Sequence, residues 1–156
     1  MTKIDRIDIR ILDELQCDAR ISLVDIAAKV SLTPTPCARR IHNLEQAGLI
    51  SAYVGLLDQT SAGLPVNAFV ELRLVRERED EISSFETEIK KYPEIMECYA
   101  LSGGYDYLLR VVAPNLETYH KFLREKLLSI QSVDSVQTSF VLDRVIYRTS
   151  LPLQYL

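Results

Sequence analysis

Two stretches of the chain carry residue types whose spacing could do chemistry. The first runs Thr33-Pro34-Thr35-Pro36-Cys37-Ala38-Arg39-Arg40-Ile41-His42-Asn43-Leu44. On a helix, Thr35, Arg39, His42, Asn43 and Gln46 fall on one face, opposite Cys37, Ile41 and Leu44. Arg can bond guanine O6 and N7 with two donors, and Asn can do the same at adenine N6 and N7. Thr35 can meet a phosphate or a thymine methyl, and the helix start, with Thr33 as cap and Pro34 and Pro36 in the first turn, offers dipole and N–H groups to a phosphate. Arg40 lies on the flank, within reach of a phosphate or an intramolecular partner. The plain alternative is a solvated helix face, which is the reading that suits His42 taken alone. The second stretch is Ser102-Gly103-Gly104-Tyr105-Asp106-Tyr107. Its glycines would let a carboxylate approach backbone N–H groups, and Asp106 could answer an ammonium group, although a Gly-Gly hairpin also stands without a ligand.

Those residues need scaffolding, and hydrophobic spacing supplies it. Ile4, Ile7, Ile11, Leu12 and Leu15 make one apolar stripe, with Asp5 or Asp8 favouring its N-terminal end. Ser22-x-x-Asp25 resembles a capping box ahead of Leu23, Ile26, Ala27 and Val30. The short turn Ser31-Leu32-Thr33 then opens a third helix that Gly48 ends. Two helices across so short a turn fit a helix-turn-helix, and Ile50 to Leu57 alternates as a strand or wing.

After the breaker-rich Leu57–Pro65 the period changes. Val66, Ala68, Val70, Leu72 and Leu74 alternate as a strand, and Arg76-Glu77-Arg78-Glu79-Asp80-Glu81 reads as a solvated helix start. Ile82, Phe85 and Ile89 form the next helical stripe. Ile95–Ser102 and Tyr105–Ala113 read as strands joined by a two-residue Gly103-Gly104 turn. A helix with inner residues Leu116, Tyr119, Leu123, Leu127 and Ile130 follows, then a strand from Val133 to Leu142. The expected fold class is α+β: an N-terminal winged helix-turn-helix at 1–57, a linker at 58–65, and a ferredoxin-like βαββαβ domain at 66–156. Hairpin strands apolar on both faces predict that the sheet face away from the helices dimerises.

The 156 residues are 47% hydrophobic and 26% charged, a globular composition. No apolar run spans a bilayer and the first residues leave no room for a signal-peptide core, so no membrane partner is expected. Three scattered cysteines without a CxxC pair suit a reduced, cytoplasmic protein and suggest no zinc site; no cofactor is expected. The net charge of −4 argues against a simple basic binder of nucleic acid. Charge is local instead: Lys29 to Leu44 holds Lys29, Arg39 and Arg40 and no acid. Only two histidines are present, in different modules, and no nucleophile elbow or P-loop appears, so an enzyme is not expected.

In sequence, Ile4-Asp5-Arg6-Ile7-Asp8-Ile9-Arg10-Ile11-Leu12, Leu32–Cys37, Arg40-Ile41, Leu44–Ile50, Tyr53–Asp58 and Ser102–Leu109 resemble the Lrp/AsnC (leucine-responsive/asparagine regulator, feast/famine) family of transcription regulators across nearly the whole chain. The resemblance implies a nucleoid-associated regulator of double-stranded DNA, contacting it through Thr33, Thr35, Pro36, Arg39, Arg40, His42 and Asn43. It implies a homodimer assembling further, often to an octamer. It also implies a small-molecule effector, usually an amino acid, bound between dimers. The effector residues by position are Ser102, Gly103, Gly104, Tyr105 and Asp106, completed by Leu116, Thr138, Ser139 and Phe140. The alternative is a ligand-independent architectural DNA-binding protein.

Overall fold

A computed structural model describes residues 4–75 and 79–155, so Arg76-Glu77-Arg78, at the head of the expected charged helix start, lies outside the described residues. The chain forms two compact units, one of residues 1–56 and 145–156 and one of residues 57–144.

In the first unit, helices α1 (Arg6–Cys17), α2 (Leu23–Lys29) and α3 (Pro34–Gln46) close on a core of Ile11, Leu12, Ile26, Ala27, Val30, Cys37 and Leu44. Each helix begins and ends for a local reason. Asp5 caps α1 by accepting from the Ile7 and Asp8 N–H groups at 2.8 and 3.0 Å, while the Asp8 carboxylate accepts from the Asp5 N–H at 3.1 Å. Ser22 caps α2 through the Asp25 N–H. Gly48, at φ +73°, ends α3 in a Schellman turn: the Leu49 N–H reaches the Leu44 carbonyl and the Gly48 N–H reaches that of Glu45.

Ile50 to Leu57, expected as a strand or wing, form no strand among the described residues. A strand needs a partner edge, and the described residues of the first unit contain none. Tyr53 is instead tethered to α3 by its hydroxyl, which donates to Glu45 at 2.9 Å. The C-terminal tail also departs from the expected 66–156 extent of the second domain. Gln16 of α1 brackets Leu151, accepting from its N–H at 2.6 Å and donating to its carbonyl at 3.3 Å. Leu153, in a 3₁₀ turn, then packs on the three-helix core.

The second unit is a four-stranded antiparallel sheet in the order β2-β3-β1-β4, with β1 Val66–Leu74, β2 Ile95–Ala100, β3 Tyr107–Ala113 and β4 Val133–Phe140. Helices α4 (Glu79–Ile89) and α5 (Leu116–Phe122) complete the β-α-β-β-α-β arrangement. Strand alternation sends Ala68, Val70, Leu72, Tyr107, Leu109 and Val111 into one core with Phe85, Ile89, Tyr119, Phe122 and Leu127. α5 runs on as a wide turn, Leu123–Leu127, in which the Leu128 N–H reaches the Leu123 carbonyl, five residues back. Leu116, expected on the inner stripe, stands in the first turn of α5 and is 61% exposed.

The two-residue hairpin turn does not form. β2 stops at Ala100 and β3 starts at Tyr107, leaving a six-residue loop closed by the Leu101 N–H on the Asp106 carbonyl. The reason lies on β1: the Asp106 N–H goes to the Leu72 carbonyl at 2.9 Å and its carboxylate to the Leu74 N–H at 2.7 Å. Asp106 thus ties the loop to the β1 end, where the β1–β4 register shifts between Arg73 and Leu74. The last strand likewise ends at Phe140, two residues short of Leu142, which is 99% exposed.

Candidate nucleic-acid interface and effector loop

α3 presents Thr33, Thr35, Arg39, His42, Asn43 and Gln46 to solvent, while Cys37 and Leu44 are buried beneath them. Thr33 makes no side-chain cap bond, so its hydroxyl is not committed to the helix start. Pro34 and Pro36 carry no N–H, and the Cys37 N–H is already bonded to the Thr33 carbonyl. Of the free N–H groups expected there for a phosphate, Thr35 alone retains one in these first positions. Pro36 is half-buried, which fits a bracing role at the turn.

The two adjacent arginines separate. Arg40 Nη1 lies 2.8 Å from Asp5 Oδ2 and 2.8 Å from Asp8 Oδ1, fastening α3 to the capping box of α1. Of the two partners foreseen for Arg40, the structure shows the intramolecular one. The Asp8 N–H, the Arg40 side chain and the Ile7 N–H together hold the Asp5 carboxyl below the ordinary aspartate range, and the two aspartates raise Arg40. Arg39, exposed one residue earlier, has no ion pair among the described residues. It lines a shallow cleft with Ile4, Asp5, Asp8, Arg40 and Asn43. His42 Nδ1 sits 4.0 Å from Glu45 Oε2, an ion pair only when the imidazole is protonated. The face therefore offers an unpaired guanidinium beside an exposed carboxamide on a helix whose roll is fixed from behind.

The residues expected for an effector fall in two places. Ser102, Gly103 and Gly104 are exposed, and Tyr105 and Asp106 half-buried, at the C-terminal end of β1. Neither Gly103 nor Gly104 adopts a positive φ; the positive-φ glycines are Gly48 and Gly63. A Cβ at Gly103 would meet nothing within 4 Å, so that approach to the backbone is open. The Asp106 carboxylate, expected to meet an ammonium group, is engaged by the Leu74 N–H. Thr138, Ser139 and Phe140 stand opposite Val70, Phe69 and Ala68, toward the other end of β1, and Leu116 follows the β3 end paired with Val66. From Leu72 to Ala68 is about 13 Å along a strand. The protomer thus brings together 102–106 and, through the Tyr105–Gln137 bond, carries them close to Thr138, opposite Val70 midway along β1, with Phe140 and then Leu116 progressively farther off.

Three residues joined to these groups escaped the sequence reading. Tyr119 bonds Thr138 Oγ1 through its hydroxyl at 2.6 Å and meets the Phe140 ring edge-on at 5.1 Å; burial pushes its phenol up. Gln137 accepts from the Tyr105 hydroxyl at 2.6 Å. Arg73 donates through Nε to the Gly104 carbonyl, with its guanidinium carbon 5.1 Å from the Tyr105 ring centre. Helical spacing marked Tyr119 as a core residue; nothing in the spacing marks the other two.

Residues 4–45 match the AsnC-type helix-turn-helix domain and residues 67–151 the Lrp/AsnC ligand binding domain. The leucine-responsive regulatory protein of Escherichia coli K12 is 41% identical over 142 residues, covering 91% of this chain and 87% of that protein. Among solved structures, a transcriptional regulator from Neisseria meningitidis in complex with L-Met superposes with a TM-score of 0.94 at 37% identity, over 98% of this chain and 99% of that one. An AsnC family transcriptional regulator from Agrobacterium tumefaciens gives 0.92, also at 37% identity, over 97% and 99%. With a helix-turn-helix match, a ligand-binding-domain match and relatives that cover both units, the chain belongs to the Lrp/AsnC family of transcription regulators.

Proposed function

We propose that the protein is a sequence-specific regulator that docks α3 in the major groove and changes its DNA binding or its assembly when it takes up an amino acid. The observation that carries the reading is the division of labour on α3: Arg40 is bound inward by Asp5 and Asp8, while Arg39 and Asn43 stand exposed and without an ion pair among the described residues. Arg39 and Asn43 are the base readers, Thr33 and Thr35 meet the phosphate backbone, and Pro36 sets the angle of the helix start. Arg40 positions the helix, and His42 contacts the edge of the site. Such a regulator acts by binding and needs no catalytic group. Its place is the cytoplasm, on nucleoid DNA; no helix among the described residues is long and apolar enough to cross a membrane.

The effector reading draws on the ligand-binding-domain match and on the L-Met carried by the Neisseria meningitidis structure. Residues 102–106 of one subunit and Leu116, Thr138, Ser139 and Phe140 of another would build one site, since Leu116 follows the Ala113–Val66 pair, about 20 Å along β1 from the Leu72 anchor of Asp106. Assembly through the sheet supports this. Its helix-free face presents Phe69, Tyr99 and Leu108 around the Glu97–Arg110 ion pair, and Tyr99 is 51% exposed. A dimer through that face, built up to an octamer, is the proposed active form.

Selection of bound genomic fragments with and without an amino-acid panel, followed by footprinting of the best site, tests the function. Arg39→Ala should weaken the cognate site by about 1–3 kcal/mol and relax preference at one base step, and Asn43→Ala should do so at another. Unchanged footprints for both variants sink the recognition-face assignment, and indifference to all twenty amino acids sinks the sensing.

A further inference from the structure

We propose that Arg73 is the residue that holds the 102–106 loop in shape and gives it a preference for ligands bearing a free carboxylate. The proposal rests on the effector reading above and names the group responsible for one half of ligand recognition. Arg73 lies on the exposed side of β1, one residue before the Leu74 N–H that Asp106 captures. Its Nε donates to the Gly104 carbonyl and its guanidinium stacks over Tyr105, whose hydroxyl is in turn anchored on Gln137. The loop is therefore fastened on both sides of this one side chain.

Charge makes Arg73 more than a brace. Arg40, Arg110, Lys91 and Lys126 each have a carboxylate within 2.8 Å, whereas Arg73 has no ion pair among the described residues. Glu71, two residues back on the same side of β1, makes no ion pair with it, and Asp106 turns its Oδ2 to the Leu74 N–H. With Nε committed to Gly104, the two terminal nitrogens remain to grip a planar carboxylate. Gly104 keeps them uncovered: a Cβ there would already stand 3.6 Å from Nη2, and a longer side chain would lie across the guanidinium. A cation beside open backbone amides selects an anionic group over an isosteric neutral one.

The test titrates the full-length protein with L-methionine and with L-methioninamide, which lacks the carboxylate, by calorimetry. Wild type should prefer the acid by about tenfold or more. Arg73→Gln should lower amide affinity by the share owed to the lost brace and acid affinity by far more, bringing the acid-to-amide ratio close to one, and Arg73→Lys should retain part of that ratio. Gly104→Asp, which places a carboxylate against the guanidinium, should lower acid affinity to a similar degree, and adding Arg73→Gln to it should lower it no further. Equal loss for acid and amide in Arg73→Gln would make Arg73 a structural brace only and overturn the proposal, as would an unchanged preference. If wild type binds neither L-methionine nor any other amino acid, the effector reading itself fails, and this inference with it.

Discussion

Arg40 places one nitrogen 2.8 Å from each of two carboxylates, and Asp8 is the buried charged residue of the three-helix unit at 9% exposure. Removing the guanidinium leaves that carboxylate with the Asp5 N–H as its remaining described partner. Arg40→Ala should therefore destabilise the helix-turn-helix by about 1–3 kcal/mol, whereas Arg39→Ala should leave its melting temperature unchanged. Acid should act on the same contact. The Asp5 carboxyl titrates below its unfolded value because the Asp8 N–H, Arg40 and the Ile7 N–H favour the anion. The stability it contributes is fully present above the ordinary aspartate range and is lost as pH falls through the folded value. Circular dichroism melts between pH 6 and pH 3 should show that loss in wild type and a shallower one in Arg40→Ala. The exposed face of α3 was legible from spacing alone, because helical periodicity decides which side chains point out. Spacing could not assign Arg40, since its partners lie more than thirty residues away in the chain.

Elements were legible where hydrophobic period or a cap wrote them, and illegible where a distant backbone group decided. Ser22, Gly48 and Pro34 mark helix ends through bonds or constraints within a few residues, and the structure places those ends accordingly. The Gly103-Gly104 turn failed because Asp106 bonds β1 at Leu72 and Leu74 and opens the hairpin into a loop. The tail failed for the same kind of reason: nothing near Leu151 in sequence announces Gln16, 135 residues away. That tail makes the helix-turn-helix a unit of two chain segments. Leu153 adds apolar burial to the core and the Gln16 amide adds two hydrogen bonds. Deleting residues 151–156 should cost about 1–3 kcal/mol in the first unit. Hydrogen exchange should find α1 amides less protected while β1 and β3 amides are unaffected. Equal protection of α1 in the truncated and intact chains would show that the tail contributes nothing to it.

At the scale of the whole molecule, a net charge of −4 cannot draw the protein to a polyanion. Of Lys29, Arg39 and Arg40 only Arg39 has no ion pair among the described residues, so we propose that affinity comes from repetition of that exposed guanidinium in the proposed assembly. The proposed assembly would also unite the effector residues. Residues 102–106 lie at the Leu72–Leu74 end of β1, whereas Leu116 follows the Ala113–Val66 pair, about 20 Å away along the strand, so we propose that a ligand of amino-acid size meets both only across two chains. Mixing two silent variants tests this directly. Gly103→Trp fills the open approach to the loop, where a Cβ meets nothing, and Leu116→Arg alters a side chain that is 61% exposed, so both should fold. Each alone should bind no L-methionine at any occupancy reached by wild type. Co-refolded in equal amounts, they should regain about a quarter of the wild-type sites, because random pairing joins an intact loop to an intact far end that often. Should the mixture stay silent, with both variants assembling to wild-type size, each site must lie within one chain. Full binding by Leu116→Arg alone would instead remove that residue from the site.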